Sequence, residues 1–469
     1  MTKSINLIIF YLTISVFTII LFSNYSSGDF FWTPLRSIYI FKTSNLWDLG
    51  TLKDFLTSTI HNDSIKFFPT IFEIIGLKLT DNWEPRTSLL LGLGSWLLNF
   101  YLYLKLILRS FKLNIKYQKV LALILFLCFF GPPYFFYRFT IVFALFKTIP
   151  SLCILFLSQI LFKKESNINN IEIILLSIFC VVGQFSYSWG SILWITTYLV
   201  LFCNFLGFQK KYLNPTKLIT FGFIGTFSTT LYICLLDFST LTNLFIKNNI
   251  SVNFKDLLNS IKGFYSFLSS YSLSYLGGLD SYSQKFPTCL FNTDISNIPE
   301  CGVSKLFIWI SLIIFSLFLF FLGIQAVQMK EKNSFSDFIS QSSPFIFIAL
   351  NTSVLPIANL FLRSQNISPP RYFVESTFFS TSLIFIALIS LNIKKYNLFK
   401  LFIYALIVLS SIINFSNINI YTYKLFNKEP LGDPNFSNAI ECIRKAPENK
   451  KNYDYLYNKC DFWKTNKYF

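Results

Sequence analysis

Apolar runs of about 20 residues recur along the whole of this chain, and that repetition constrains its fold more than any other feature. A helix of that length crosses the hydrocarbon core of a bilayer while pairing all of its own backbone polar groups. Composition agrees. Hydrophobic residues make up 53% of the chain and charged residues 13%, against roughly 25% charged in ordinary soluble domains. The mean hydropathy is +0.52. These values exclude a cytosolic enzyme, a nucleic-acid-binding module and a disordered chain. The 58 phenylalanines, enriched together with Ile, Asn and Lys, read as codon usage of an AT-rich genome rather than as a role for phenylalanine itself.

The expected fold is all-α, a polytopic transmembrane helical bundle. Apolar runs lie at 5–22, 87–104, 119–137, 139–161, 171–185, 187–206, 217–236, 304–326, 343–361, 373–392 and 399–415, about 11 spans in all. The first follows Lys3 but lacks a small-residue cleavage site at Phe22-Ser23-Asn24-Tyr25, so it reads as an uncleaved helix.

The formal net charge of +17 is mainly a topology signal. Lys105, Arg109, Lys112, Lys116 and Lys119 separate the second and third runs. Lys163 and Lys164, then Lys210, Lys211 and Lys217, then Lys330 and Lys332, then Lys394, Lys395 and Lys400 follow every second run after that. Basic short loops mark the cytoplasmic side, so the expected topology is N-terminus inside and C-terminus outside. Residues 1–415 then form the transmembrane domain, with external loops at 23–86 and 237–303. Residues 416–469 form a short extracytoplasmic tail.

Cysteine placement fits this arrangement. Cys128, Cys153, Cys180, Cys203 and Cys234 fall in apolar runs, where a thiol acts as a small hydrophobe. Cys289, Cys301, Cys442 and Cys460 fall in external segments and form two local pairs by spacing. Disulfides Cys289–Cys301 and Cys442–Cys460 are expected in an oxidising compartment.

The first external segment holds the richest chemistry. Asp29 sits in Gly28-Asp29-Phe30-Phe31-Trp32, just past the first span. Residues 35–60 have the mixed apolar spacing of a helix lying in the membrane interface. His61-Asn62-Asp63-Ser64-Ile65-Lys66-Phe67-Phe68-Pro69 follows, with the only histidine of the chain. The run from Phe67 to Leu79 is too short to span and reads as a second interfacial or re-entrant helix. Asp29 and Asp63 are candidate general bases toward a sugar hydroxyl, and His61 could bond a phosphate or orient a carboxylate. The competing structural reading makes Asn62 or Asp63 the N-cap of the following helix.

A second constellation, Arg363-Ser364-Gln365-Asn366-Ile367-Ser368-Pro369-Pro370-Arg371-Tyr372, puts two arginines on the outer side against the charge trend. Guanidinium groups kept there suit a phosphate partner, or else lipid headgroups or an ion pair with Asp29, Asp63 or Glu375. Arg138, after Gly131-Pro132-Pro133, is a weaker candidate for the same pocket. No set of metal ligands stands out, and no resident cofactor is expected. A divalent cation could be held by Asp29 and Asp63 through oxygen. Gly92-Leu93-Gly94 lies inside an apolar run and reads as helix packing, so no phosphate loop and no nucleotide-driven pump is indicated.

The order of these motifs resembles bacterial polytopic membrane proteins with an H-N-E-H-R…F-P segment and a late R…S-R-Y segment, which are similar to GT-C glycosyltransferases. Here Asp63 stands at the Glu position, Ser64 replaces the second His, and Lys66 lies near the Arg. The resemblance implies an external active site that takes sugar from a polyprenyl-phosphate carrier, usually with inversion. It implies Asp29 and Asp63 as base candidates and His61 and Asn62 in the donor pocket; Lys66 is a further substrate-binding candidate. Arg363 and Arg371 would hold the lipid phosphate, with Tyr372 beside them. The partners implied are a polyprenyl-phosphate-linked sugar, a glycan or glycolipid acceptor and the bilayer, with no nucleic acid. The location implied is the bacterial cytoplasmic membrane, active face outward. A polysaccharide polymerase or ligase would use similar residues. A lipid-linked sugar transporter or flippase is the non-catalytic alternative, against which stand few charges within the spans and no clear internal repeat.

Overall fold

The computed structural model describes residues 55, 60–61, 64–79, 86–110, 115–130, 144–163, 167–206, 214–235, 316, 334–363 and 373–393. Apart from one short two-stranded ladder, every described element is helical. Strands β1 (Ile60–His61) and β2 (Ser64–Ile65) pair antiparallel, with Ile60 opposite Ile65 and His61 opposite Ser64. The helices are α1 (Phe67–Leu79), α2 (Arg86–Ser110), α3 (Ile115–Phe130), α4 (Ala144–Leu161), α5 (Asn170–Gln184), α6 (Ile192–Phe205), α7 (Pro215–Leu235), α8 (Ser334–Arg363) and α9 (Phe373–Ile393). A 3-10 turn, Ser188–Ser191, precedes α6. The apolar runs expected at 5–22 and 399–415 lie outside the described residues, as does that at 304–326 except for Ser316.

Local signals start these helices where the sequence places them. Asn169 caps α5: its side chain accepts from the Glu172 backbone N–H at 2.8 Å, and the Glu172 carboxylate accepts from the Asn169 N–H at 2.8 Å. Asn214 takes the N–H of Thr216 at 3.0 Å, and Pro215 occupies the first position of α7, where no backbone donor is needed. Pro69 sits in the first turn of α1 for the same reason.

Side-chain pairs fix the direction of each helix. Asn99 donates to the carbonyl of Thr148 at 2.9 Å, and Gln159 to that of Leu102 at 3.3 Å, so α2 and α4 run parallel. Phe156 stacks on Phe179 at 4.8 Å and Lys163 meets Glu172 at 2.5 Å, so α5 returns antiparallel to α4. Trp194 binds Gln184 while Thr197 meets Cys180, which reverses α6 against α5. Gly225 lies beside Trp194 and Gly222 beside Tyr198, so α7 turns back against α6. Trp96 meets Phe378 and Tyr103 meets Phe385, so α9 parallels α2. Phe347 packs on Phe162 and Asn351 accepts from Thr196 at 2.8 Å, so α8 rises the same way as α7.

The centre is aromatic. Trp96, Phe100, Tyr103, Phe129 and Phe130 are fully or almost fully buried. Phe129 stacks under Trp96 at 4.8 Å and meets Phe378 edge-on at 5.2 Å. Such pairs contribute about 0.5–1.5 kcal/mol each beyond their area. Phenylalanine therefore has a packing role in this bundle, whatever set its abundance.

The outer surface is apolar and the interior is partly polar. Ile219, Phe223 and Phe227 of α7 are 69%, 74% and 66% exposed, and Ile171, Ile174, Ile178, Ile195 and Leu199 extend that surface over α5 and α6. Asn99, Gln184, Thr197, Asn204 and Asn351 are buried. Two helices, over Leu91–Ser110 and Pro215–Leu235, are long and apolar enough to cross a membrane. Helix α5 has the 15 residues of its apolar run, whereas α6, at 14 residues, is shorter than the run at 187–206; each rises about 22 Å against roughly 30 Å of hydrocarbon. The reason lies at the turn between them. A Cβ on Gly190 would overlap the carbonyl of Gly183, so the chain folds back on itself tightly before α6 begins.

Candidate functional site

Helix directions sort the charged residues into two ends. At one end lie the last turn of α2 with Arg109, the start of α5 and the start of α7. Lys163 pairs with Glu172 there, and Lys217 donates to the Ile168 carbonyl at 2.6 Å. These groups satisfy one another and tie α4, α5 and α7 together. The opposite end collects Arg86 at the start of α2, Lys147 in the first turn of α4, Arg363 closing α8 and Glu375 in the first turn of α9.

The ladder carrying His61 docks at that second end. The Ile65 N–H donates to the Tyr232 hydroxyl at 3.3 Å, and the Phe68 N–H donates to the Phe185 carbonyl at 3.3 Å. Phe185 follows the end of α5, and Tyr232 lies in the last turn of α7. The Tyr232 ring meets Phe185 edge-on at 5.4 Å, with Ile65 buried against them. Lys66 is itself buried, and its carbonyl accepts from the Thr70 N–H at 3.2 Å and hydroxyl at 2.6 Å. Helix α1 therefore starts at Phe67, with Lys66 in the cap position. Asn62 and Asp63 precede that start by too many residues to cap it, which corrects the capping role set out for them above.

Of the residues singled out in the sequence, His61 has its backbone in β1, Lys66 is buried at the junction of ladder and helix, and Arg363 ends α8. All three belong to one end of the bundle. Asp29, Asn62, Asp63, Arg138, Arg371 and Tyr372 lie outside the described residues, and so do Cys289, Cys301, Cys442 and Cys460. Among the described residues no cluster of three or more His, Cys, Asp or Glu could hold a metal ion. Cys128, Cys153 and Cys180 are free and buried, and Cys203 and Cys234 are free and exposed on their helices. Gly92 and Gly94 are helical as expected, but a Cβ on Gly94 would meet nothing within 4 Å, so close helix packing is not its role.

Two residues gain weight from the structure. Glu375 is fully buried in the first turn of α9, where the helix dipole favours a negative charge. Its signal in the sequence was a lone acid inside an apolar run. Gln184 joins three elements: its Oε1 accepts from Trp194 Nε1 at 2.9 Å and Ser228 Oγ at 2.7 Å, and its Nε2 donates to Ser191 Oγ at 3.3 Å. With both ends of the amide engaged, Gln184 braces the end of the bundle on which the ladder rests. Comparison of the chain with protein-family models, with curated proteins and with solved structures finds no match.

Proposed function

We propose that this chain is a polytopic membrane glycosyltransferase of GT-C type. It transfers a sugar from a polyprenyl-phosphate carrier to a cell-envelope glycan or glycolipid on the outer face of a bacterial cytoplasmic membrane. The apolar outer surface over α5, α6 and α7 supports the membrane reading, since soluble monomers rarely expose contiguous apolar patches beyond a few hundred Å². One observation carries the enzymatic reading. The described residues of the two segments that bear the motif resemblance, 60–61 with 64–66 and the Arg363 end of α8, belong to the same end of the bundle.

In this reading the buried Lys66 and the arginines Arg363 and Arg371 stabilise the departing lipid phosphate. Asp29 or Asp63 takes the proton of the acceptor hydroxyl as its oxygen attacks the anomeric carbon. The test is single substitution, Asp29→Asn, Asp63→Asn and Arg371→Ala, scored by the envelope glycan formed at matched protein levels. Loss of glycan in an Asp variant and in Arg371→Ala supports the assignment. Normal glycan from all three removes it.

A further inference from the structure

The cations at the Arg109 end of the bundle fall into two groups. Lys163 is paired with Glu172, and Lys217 donates to the Ile168 carbonyl. Lys105 and Arg109, in the last two turns of α2, and Lys119, in the second turn of α3, have no such partner among the described residues. Arg109 and Lys119 are exposed and Lys105 is half-buried.

The three belong to one helical hairpin. Trp96 stacks on Phe129 at 4.8 Å and Phe100 meets Phe126 edge-on at 5.8 Å, so α3 runs antiparallel to α2. Carried along both helices, that register sets Lys105 level with Val120, next to Lys119. Leu98, Tyr101, Lys105 and Arg109 recur at steps of three and four residues, along one face of α2. Leu98 is exposed on that face, and Val120 and Leu123 are exposed on α3. Each helix thus shows an outward apolar surface that ends in cations. Residues 105–119 hold five basic residues and no acid, so the sequence supplies no local counter-charge. The negative end of the α2 dipole favours Arg109 where it stands but is only a partial charge.

A soluble phosphate would engage the cations alone. An anionic phospholipid engages both parts of the surface, because Lys and Arg stems lie along apolar surface while their heads reach the headgroup level. We propose that the α2–α3 hairpin binds an anionic phospholipid, its phosphate against Lys105, Arg109 and Lys119 and its acyl chains along Leu98, Val120 and Leu123. This rests on the membrane reading and is independent of sugar transfer, since none of these residues belongs to that chemistry.

The test uses the full chain in nanodiscs of phosphatidylcholine with a minor share of phosphatidylglycerol. The discs are dissolved in detergent and the lipids retained by the protein are counted by mass spectrometry. Wild type is expected to enrich phosphatidylglycerol several-fold over its share in the disc, since each Lys or Arg near an anionic surface contributes on the order of a five-fold preference. The triple variant Lys105→Gln, Arg109→Gln, Lys119→Gln is expected to lose most of that enrichment. Lys105→Arg with Lys119→Arg keeps the charge and is expected to retain it, which separates lost charge from lost fold. Lys210→Gln, Lys211→Gln, Lys330→Gln removes three charges elsewhere and is expected to retain it as well. No enrichment in wild type overturns the proposal, and so does enrichment that survives the first triple variant. Equal loss in the two triple variants, or loss in the arginine variant, overturns it too. A chain that enters no disc ends the membrane reading and this proposal with it, whereas normal glycan from the Asp and Arg371 variants leaves it standing.

Discussion

Tyr232 holds Ile65 across 167 positions of sequence: the hydroxyl at the end of α7 receives the backbone N–H of the β2 strand at 3.3 Å. This bond and the one from Phe68 to Phe185 seat the ladder on the ends of α5 and α7. Tyr232→Phe keeps the ring against Phe185 and removes only the oxygen. The expected cost is about 1 kcal/mol of stability. If the ladder lines the sugar-transfer site, glycan output falls while the amount of protein in the membrane stays constant. Thermal unfolding and glycan quantification on the same preparations check both parts.

Gln184→Leu removes the acceptor shared by Trp194 and Ser228. Two buried donors then lose their partner, at roughly 1–3 kcal/mol each. Trp194→Phe in the same background removes one of those donors, so the double variant is expected to lose less than the sum of the two single variants. Unfolding midpoints of the four proteins give the coupling directly, and strict additivity would show that the Gln184–Trp194 bond contributes nothing.

Helix positions were legible in the sequence because a run of apolar residues with a polar start, such as Asn169 or Asn214, leaves little else for the backbone to do. The end of the 171–185 run was legible too, but the tight return through Gly183 and Gly190 was not, since it depends on two backbones meeting. Nothing local in the sequence announces the burial of Lys66. Its environment comes from the docking of β2 and α1 on helices more than a hundred residues away. Gln184 and Glu375 share their apolar runs with other polar residues, and their importance depends on which face meets the core.

Sidedness is checked at Asn167, which is exposed beside the Lys163–Glu172 pair. In a cysteine-free background, Asn167→Cys is expected to react in intact cells with a membrane-permeant maleimide. A charged, impermeant maleimide should reach it only after the cells are opened. The opposite pattern would turn the bundle over, put Lys66 and Arg363 on the cytoplasmic side, and end the outward-facing assignment.

Gly190→Ala tests the tight return before α6. The added methyl would overlap the carbonyl carbon and oxygen of Gly183, which are backbone atoms and cannot rotate aside. Relief requires the 3-10 turn to move away from α5, and that shift pulls on Ser191, a partner of Gln184. The expected loss is about 2–3 kcal/mol, in the upper part of the range for single substitutions. Gly94→Ala serves as the control, because its Cβ would enter open space and alanine is the better helix former by about 1 kcal/mol. Unfolding midpoints should therefore fall for Gly190→Ala and hold or rise for Gly94→Ala. A fall of equal size in both would mean that helix propensity and surface effects, rather than the Gly183–Gly190 contact, set the response.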